Sequence, residues 1–418
     1  MITFTTTTDH NEYLPIGGNR VDAIVTVAAT GAGPRTAAAD GAAVMLVLDG
    51  SGSMRPRAKW NALKKAASAA ISQIRDDVAF GVIIGSEEAH VIYPRTSGLA
   101  KASNATRAEA IAAVENERAD GGTAIGRWLL EACERLAPYE RSVRHAILLT
   151  DGQDQHETPD ELRAAVRSCE GVFQCDCRGV GTDWRVDELR SIASALLGTV
   201  DLVARPDDMA ADFEAMMRGA MGKRTADVRL RLWRPSGATV NFVKQVSPTI
   251  EDLTTRGVAI AERTVDFPTG AWGDEVREYH VAIGVPPQQV GEKMAAARVS
   301  LVVDDQPVSQ SLIEATWTDD RAASTRLNQR VAHYTGQAEL ADAIAEGLDA
   351  RAIGDTATAT VRFGRAAQLA EASGNTGTLR LLKGVVEIVD APTGTVRLRR
   401  NASAYAPLKP RSGITASS

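Results

Sequence analysis

The spacing of apolar positions changes several times along the chain, and each change marks a different kind of element. Residues Val44, Met45, Leu46, Val47 and Leu48 are apolar in succession, which suits a strand buried on both faces, as in a parallel sheet. From there to about residue 223, strand and helix patterns alternate. Helical spacing over 57–74 places Trp60, Leu63, Ala67, Ile71 and Ile74 on one face. Short strands at 78–84 and 89–93 follow, then helices at 107–117 and 124–136 and a buried strand at 143–150. Helices at 159–169, 186–197 and 207–221 alternate with strands at 172–180 and 200–204. Six strands with helices between them predict a doubly wound, mostly parallel, Rossmann-like α/β domain over 38–223, built through right-handed crossovers. Ligands of such sheets sit beyond the carboxyl ends of the strands.

The period then drops to two. Residues 227–233, 239–243, 277–283 and 298–303 alternate apolar and polar, with a Pro286-Pro287 turn, and predict a β-sandwich over 224–320. Residues 1–37 also read as β, with a strand at 20–29 and a linker beginning at Thr30. So few strands cannot form a domain alone, so they are expected to pair with the sandwich. Helical spacing returns in a module over 321–390, where Leu327, Val331, Tyr334, Ala338, Ala341, Ile344 and Leu348 mark one face. Two further helices are predicted at 356–372 and 376–389, separated by Ser373-Gly374-Asn375, with no repeat of fixed length. The tail, 391–418, is basic and rich in Ser, Pro and Thr, and is expected to be disordered.

Composition narrows the function. A net charge of -6 over 418 residues argues against a dedicated nucleic-acid binder. The first residues lack the basic and apolar regions of a signal peptide, and no apolar run approaches the roughly 18 residues of a membrane span. A cytoplasmic location with no membrane partner is the expectation. Cys133, Cys169, Cys175 and Cys177 are too few and too clustered for a disulfide scaffold, and they read as small buried thiols rather than a metal cluster.

Candidate chemistry begins where the first buried strand stops. Asp49, Ser51 and Ser53 put one carboxylate and two hydroxyls in a glycine-bearing loop, a set of hard oxygen donors suited to Mg²⁺, Mn²⁺ or Ca²⁺. Two further loops lie on the same rim of the predicted sheet. Thr123 follows Gly121-Gly122 at a helix start, and Asp151 ends the strand at 143–150. The five residues are therefore aimed at one spot. A polar loop that merely caps a helix explains the first group but not the other two. An aspartyl phosphohydrolase using Asp49 normally wants a second carboxylate two residues on, where this chain has Ser51.

These three loops resemble the metal-ion-dependent adhesion site of the von Willebrand factor type A domain, written Asp-x-Ser-x-Ser, then a distant Thr, then a distant Asp. Gly121-Gly122 before the threonine, Thr150-Asp151-Gly152 and the segment from Cys177 to Asp183 add to the likeness, which covers about 180 of the 418 residues. The resemblance implies that the two serines bind a divalent cation directly, that Thr123 binds directly or through water, and that the aspartates act mostly through water. It also implies an open position that takes an acidic residue of a partner protein, and hence an adaptor or scaffold without catalysis, alongside a chaperone ATPase or a signalling protein. The rivals are a metal-dependent phosphohydrolase and a structural module whose metal only stabilises the fold. Asp154, His156 and Glu157 read as a solvated loop that shapes partner choice at the rim, and Glu87, Glu88 and His90 as exposed polar residues. The stretch from Arg399 to Ser403 reads as a chance match to a kinase site.

Overall fold

The computed structural model describes residues 2–31, 41–76, 78–140, 142–151, 156–180, 186–203, 205–324, 328–372, 379, 382–383 and 385–399. The chain opens with β1 (Thr3–His10), β2 (Tyr13–Pro15) and β3 (Arg20–Thr30). The α/β unit then runs β4 (Ala42–Asp49), α1 (Arg57–Gln73), β5 (Ala79–Gly85), β6 (Ala89–Tyr93), β7 (Ala100–Lys101), α2 (Asn104–Asn116) and α3 (Ile125–Leu136). It continues through β8 (Val143–Thr150), α4 (Pro159–Cys169), β9 (Gln174–Val180), α5 (Val186–Ala195), β10 (Val200–Val203) and α6 (Met209–Gly222).

Its sheet has the order β10-β9-β8-β4-β5-β6, with the two-residue β7 paired to β5. The strands from β10 to β5 are parallel; β6 and β7 run antiparallel to β5. Central β4 is buried at every position, because alternate side chains enter two different cores. Val44, Leu46 and Leu48 meet α1, α2 and α6, while Ala43, Met45 and Val47 meet α3, α4 and α5. Cys169, Cys175 and Cys177 are buried in the second core and Cys133 is half-buried, all as free thiols.

The sandwich is β11 (Thr225–Trp233), β12 (Thr239–Ser247), β13 (Glu251–Asp252), β14 (Val258–Ala261), β15 (Thr264–Trp272), β16 (Glu275–Gly284), β17 (Lys293–Val303) and β18 (Gln306–Thr318). The N-terminal strands enter both of its sheets. One has the order β1-β3-β16-β12-β13 and the other β14-β15-β11-β17-β18-β2. β3 pairs along its length with β16, setting Ala23 opposite Val281 and Val25 opposite Tyr279. Two long strands, β15 and β18, fall outside the four that alternation predicts. β15 is interrupted by Pro268, and β18 begins with an exposed polar half before Ile313, Ala315 and Trp317 alternate into the core.

The C-terminal part comprises α7 (Arg321–Ser324), α8 (Gln329–Ala352), α9 (Thr356–Ala372), β19 (Val386–Asp390) and β20 (Thr395–Leu398). Two expectations need correction here. Val386–Asp390 is a strand and not the end of a helix, and residues 395–398 are not a disordered tail but pair with it. Alternating Val386 and Ile388 face the same small core as Val396 and Leu398, and Gly394, at φ +70°, makes the turn. The hairpin lies close on α9, since a Cβ on Gly364 would meet the Gly394 carbonyl at 2.3 Å. Leu348 also faces solvent; Val331 is buried as expected, and the buried residues of the later turns of α8 include Leu340, Ala343 and Ala350. Leu327, residues 373–375, residues 401–418, the linker residues from Ala32 to Pro34, and residues Gly181 to Asp183 lie outside the described residues. Among the described residues no helix is long and apolar enough to cross a membrane.

Candidate metal centre

β4 and β8 are parallel neighbours, so their carboxyl ends deliver Asp49 and Asp151 side by side. Both carboxylates are fully buried, at 0% exposure. The Ser51 N–H donates to Asp49 Oδ1 at 2.8 Å, folding the first loop back on itself. Asp49 Oδ2 accepts the Thr150 hydroxyl at 2.5 Å and the Asp151 N–H at 3.3 Å. The Ser51 and Ser53 hydroxyls lie 2.8 Å apart, and Ser53 Oγ donates to Asp151 Oδ1 at 2.6 Å. Four of the five expected residues thus form one continuous hydrogen-bonded chain.

The fifth, Thr123, is buried and is brought in through its backbone. Its loop is stitched to the first by Gly52 N–H to the Gly121 carbonyl, 2.8 Å, and by Asp120 N–H to the Gly50 carbonyl, 2.7 Å. Gly121 takes φ +87° to make that turn. An ion pair between Arg55 and Asp120 closes the outside of the junction.

His156 and Glu157 are not a merely solvated rim. The Thr123 N–H donates to His156 Nδ1 at 3.2 Å, and the His156 N–H returns a bond to the Thr123 carbonyl at 3.1 Å. The ring lies against Gly122, where a Cβ would meet His156 Cε1 at 1.8 Å, so any larger residue there would displace the ring. Glu157 accepts from the N–H groups of Gly126 at 2.6 Å and Arg127 at 3.0 Å. It supplies the N-cap that α3 lacks at Ala124. No local pattern signals this cap, because the helix that Glu157 serves lies earlier in the chain. Asp154 lies outside the described residues.

Lys59 was also absent from the expected set. It reaches from α1 to place its ammonium 2.7 Å from Asp151 Oδ2. A lysine within a helix gives no sequence signal of such a contact.

Electrostatics and donor chemistry both fit a divalent cation. Burial pushes the Asp49 carboxyl above the ordinary carboxylate range; hydrogen bonds from Ser51 and Thr150 oppose that rise, and the nearby Asp151 adds to it. Asp49 and Asp151 are two buried acids close together, and a hard cation would offset their charge. Among the described residues no group of three His, Cys, Asp or Glu side chains converges. The donors are mixed carboxylate and hydroxyl oxygens, suited to Mg²⁺, Mn²⁺ or Ca²⁺ and poorly suited to a thiophilic ion.

Comparison with known proteins agrees with the fold. The von Willebrand factor type A domain model matches residues 43–209, and the von Willebrand factor type A C-terminal domain model matches residues 368–405. Among solved structures, von Willebrand factor type A from Catenulispora acidiphila is 45% identical, with 96% of this chain and 93% of that chain covered and a TM-score of 0.89. The ArnB paralog VWA2 from Sulfolobus acidocaldarius shares the fold at 15% identity, with 94% and 95% covered and a TM-score of 0.57. Proximal thread matrix protein 1 from the mussel byssus, described with a zinc-occupied MIDAS motif, is 24% identical over 44% of this chain and 46% of that one, at a TM-score of 0.37. No curated protein matches the chain.

Proposed function

The chain belongs to the von Willebrand factor type A family, and from that premise we propose that Asp49, Ser51, Ser53, Thr123 and Asp151 hold one divalent cation through which the protein captures an acidic side chain of a partner protein. The family is one of protein-interaction modules that typically bind a divalent metal. The observation that carries the reading is the continuous chain from Asp49 through Ser51 and Ser53 to Asp151, in which every member is an oxygen donor. When bound, the cation supplies a Lewis-acidic position for an incoming carboxylate. Ser51 and Ser53 present neutral oxygens to it; the buried aspartates anchor the site by charge. Mg²⁺ is the favoured ion, with Mn²⁺ or Ca²⁺ as substitutes.

Catalysis is not part of this reading. Ser51 stands where a phosphohydrolase would place its acid/base carboxylate, and Asp49 is tied on both oxygens by hydrogen-bond donors. The partner expected is a protein with an exposed Asp or Glu, such as a chaperone ATPase or signalling protein in the cytoplasm; neither nucleic acid nor membrane is expected as a partner.

Isothermal titration with Mg²⁺ tests the proposal directly. Wild type should bind one equivalent, and Asp49→Asn should fold normally by circular dichroism yet lose the binding. Equal Mg²⁺ affinity in the two would sink the reading. Turnover of phosphate esters by wild type, abolished in Asp49→Asn, would replace it with the hydrolase.

A further inference from the structure

Two cysteines face each other across the seam between α3 and α4. The helices pack closely there, since a Cβ on Gly126 would meet the Ala165 Cβ at 3.0 Å. Cys133 lies two turns beyond Gly126 and Cys169 one turn beyond Ala165, so both fall on the faces of closest approach. Side chains lean toward the N-terminus of their helix, which carries the Cys133 sulfur back toward the turn at Leu129. There the Cys169 thiol donates to the Leu129 carbonyl at 3.4 Å, while the Cys133 thiol donates to the carbonyl of Ser168, the neighbour of Cys169, at 3.7 Å. Each sulfur thus rests on the backbone beside the other. The pair is unequal: Cys133 is half-buried and Cys169 fully buried. A hydrogen bond from the Cys169 thiol outweighs burial and, with Arg144 nearby, draws Cys133 down to about 7. The same hydrogen bond, with burial and the Cys133 charge, holds Cys169 far above the ordinary thiol range.

We propose that Cys133 and Cys169 form a redox modification site, in which Cys133 reacts with a hydroperoxide and Cys169 resolves the product as a disulfide. The Cys133 thiolate attacks one peroxide oxygen, and an S–O bond forms as the O–O bond breaks. The departing oxygen takes up a proton and leaves as water or an alcohol. The sulfur is thereby oxidised to a sulfenic acid by two electrons, and the peroxide is reduced by the same two. The thiolate that kept Cys169 protonated is then gone. Cys169 gives up its proton, its sulfur attacks that of Cys133, and the S–S bond forms as the S–O bond breaks and water leaves. No second oxidant is needed. Cys175 and Cys177 lie 3.9 Å apart, but both are fully buried on one strand, away from a dissolved oxidant.

The test treats the full chain with hydrogen peroxide, alkylates the remaining thiols, and reads the intact mass and the linked peptides. Wild type should lose two hydrogens, give a peptide linked through Cys133 and Cys169, and recover in dithiothreitol. Cys133→Ser should form no bridge. Cys169→Ala should keep a Cys133 sulfenic acid that dimedone labels several times more strongly than in wild type. Cys169→Ser takes its place if the alanine protein fails to fold. The initial rate of wild-type oxidation should rise with pH through a midpoint of about 7, below the ordinary thiol value of about 8.5. A bridge between Cys175 and Cys177 overturns the proposal, as does a wild type that forms no bridge. So do equal dimedone labelling of wild type and the Cys169 variants, and a rate midpoint at the ordinary thiol value.

Discussion

Asp49 answers to three donors at once, the N–H of Ser51, the hydroxyl of Thr150 and the N–H of Asp151, and all three lie at one end of the sheet. A single carboxylate thereby fixes the relative position of two of the loops. Glu157 does the equivalent work for the remaining pair, because it follows Asp151 in sequence but caps α3, the helix that begins just after Thr123. Removing a helix cap costs about 1 kcal/mol. Glu157→Ala should therefore lower the melting temperature modestly, and should lower Mg²⁺ affinity as well, because the Thr123 loop loses one of its two ties to the third loop. A fall in stability with unchanged Mg²⁺ affinity would show that the cap serves only the helix.

At the scale of elements, the site depends on helices that supply none of its donors. α1 carries Lys59, and α6 packs along it through Met209, Phe213, Met217 and Ala220, spaced three or four apart and all buried. Phe213→Ala should cost about 3–5 kcal/mol of unfolding free energy in urea titrations, as buried aromatic deletions do. Mg²⁺ affinity of the folded fraction should remain unchanged, because no donor is moved. α8 shows a different dependence. Its first turns dock on the sandwich, where Arg330 and Tyr334 both reach Glu278, while its later turns pack on α9. One helix serving two cores has no single apolar stripe, which is why periodicity placed Leu348 inside when it is exposed.

Across the whole molecule, the chain leaves the sandwich after β3, builds the α/β unit, and returns at β11. The two bodies meet around a cavity of about 360 Å³, whose charged and titratable lining includes His145, Asp176, Arg178, Lys223, Glu275 and Arg277. Gln174 bridges the seam, donating to the Leu197 carbonyl at 2.8 Å and accepting from the Ala271 N–H at 3.1 Å. Lys223, at the exit from α6, pairs with Glu275 of β16 at 2.7 Å. Asp176 accepts from the backbone and hydroxyl of Thr199 and faces His145 Nε2 at 3.0 Å. Burial pushes its carboxyl up, but His145, Thr199 and Arg178 outweigh that and hold it well below the ordinary range. A carboxyl depressed in the folded state adds stability in full above its unfolded value of about 3.9 and loses it as the pH falls through the folded value. The melting-temperature gap between wild type and Asp176→Asn should therefore narrow on acidification from about pH 6 to about pH 3. A gap that stays constant would show that Asp176 acts by shape rather than charge.

The amino-acid sequence by itself determined the α/β unit, because a strand buried on both faces and helices of period 3.6 leave patterns that need no partner to be seen. It also determined the identity of the candidate ligands, since Asp49, Ser51, Ser53, Thr123 and Asp151 each stand at a strand end or helix start that local pattern can locate. What only the tertiary structure decided is everything that depends on who lies opposite. β18 shows mixed burial and pairs with β17 and β2 from the far end of the chain. β19 and β20 are short strands whose alternation means something only once they face α9. Lys59 and Glu157 look like ordinary surface residues until the fold sets a buried carboxylate beside the one and an uncapped helix beside the other. Contacts between residues distant in sequence leave no period, and charge placement at this site is made of such contacts.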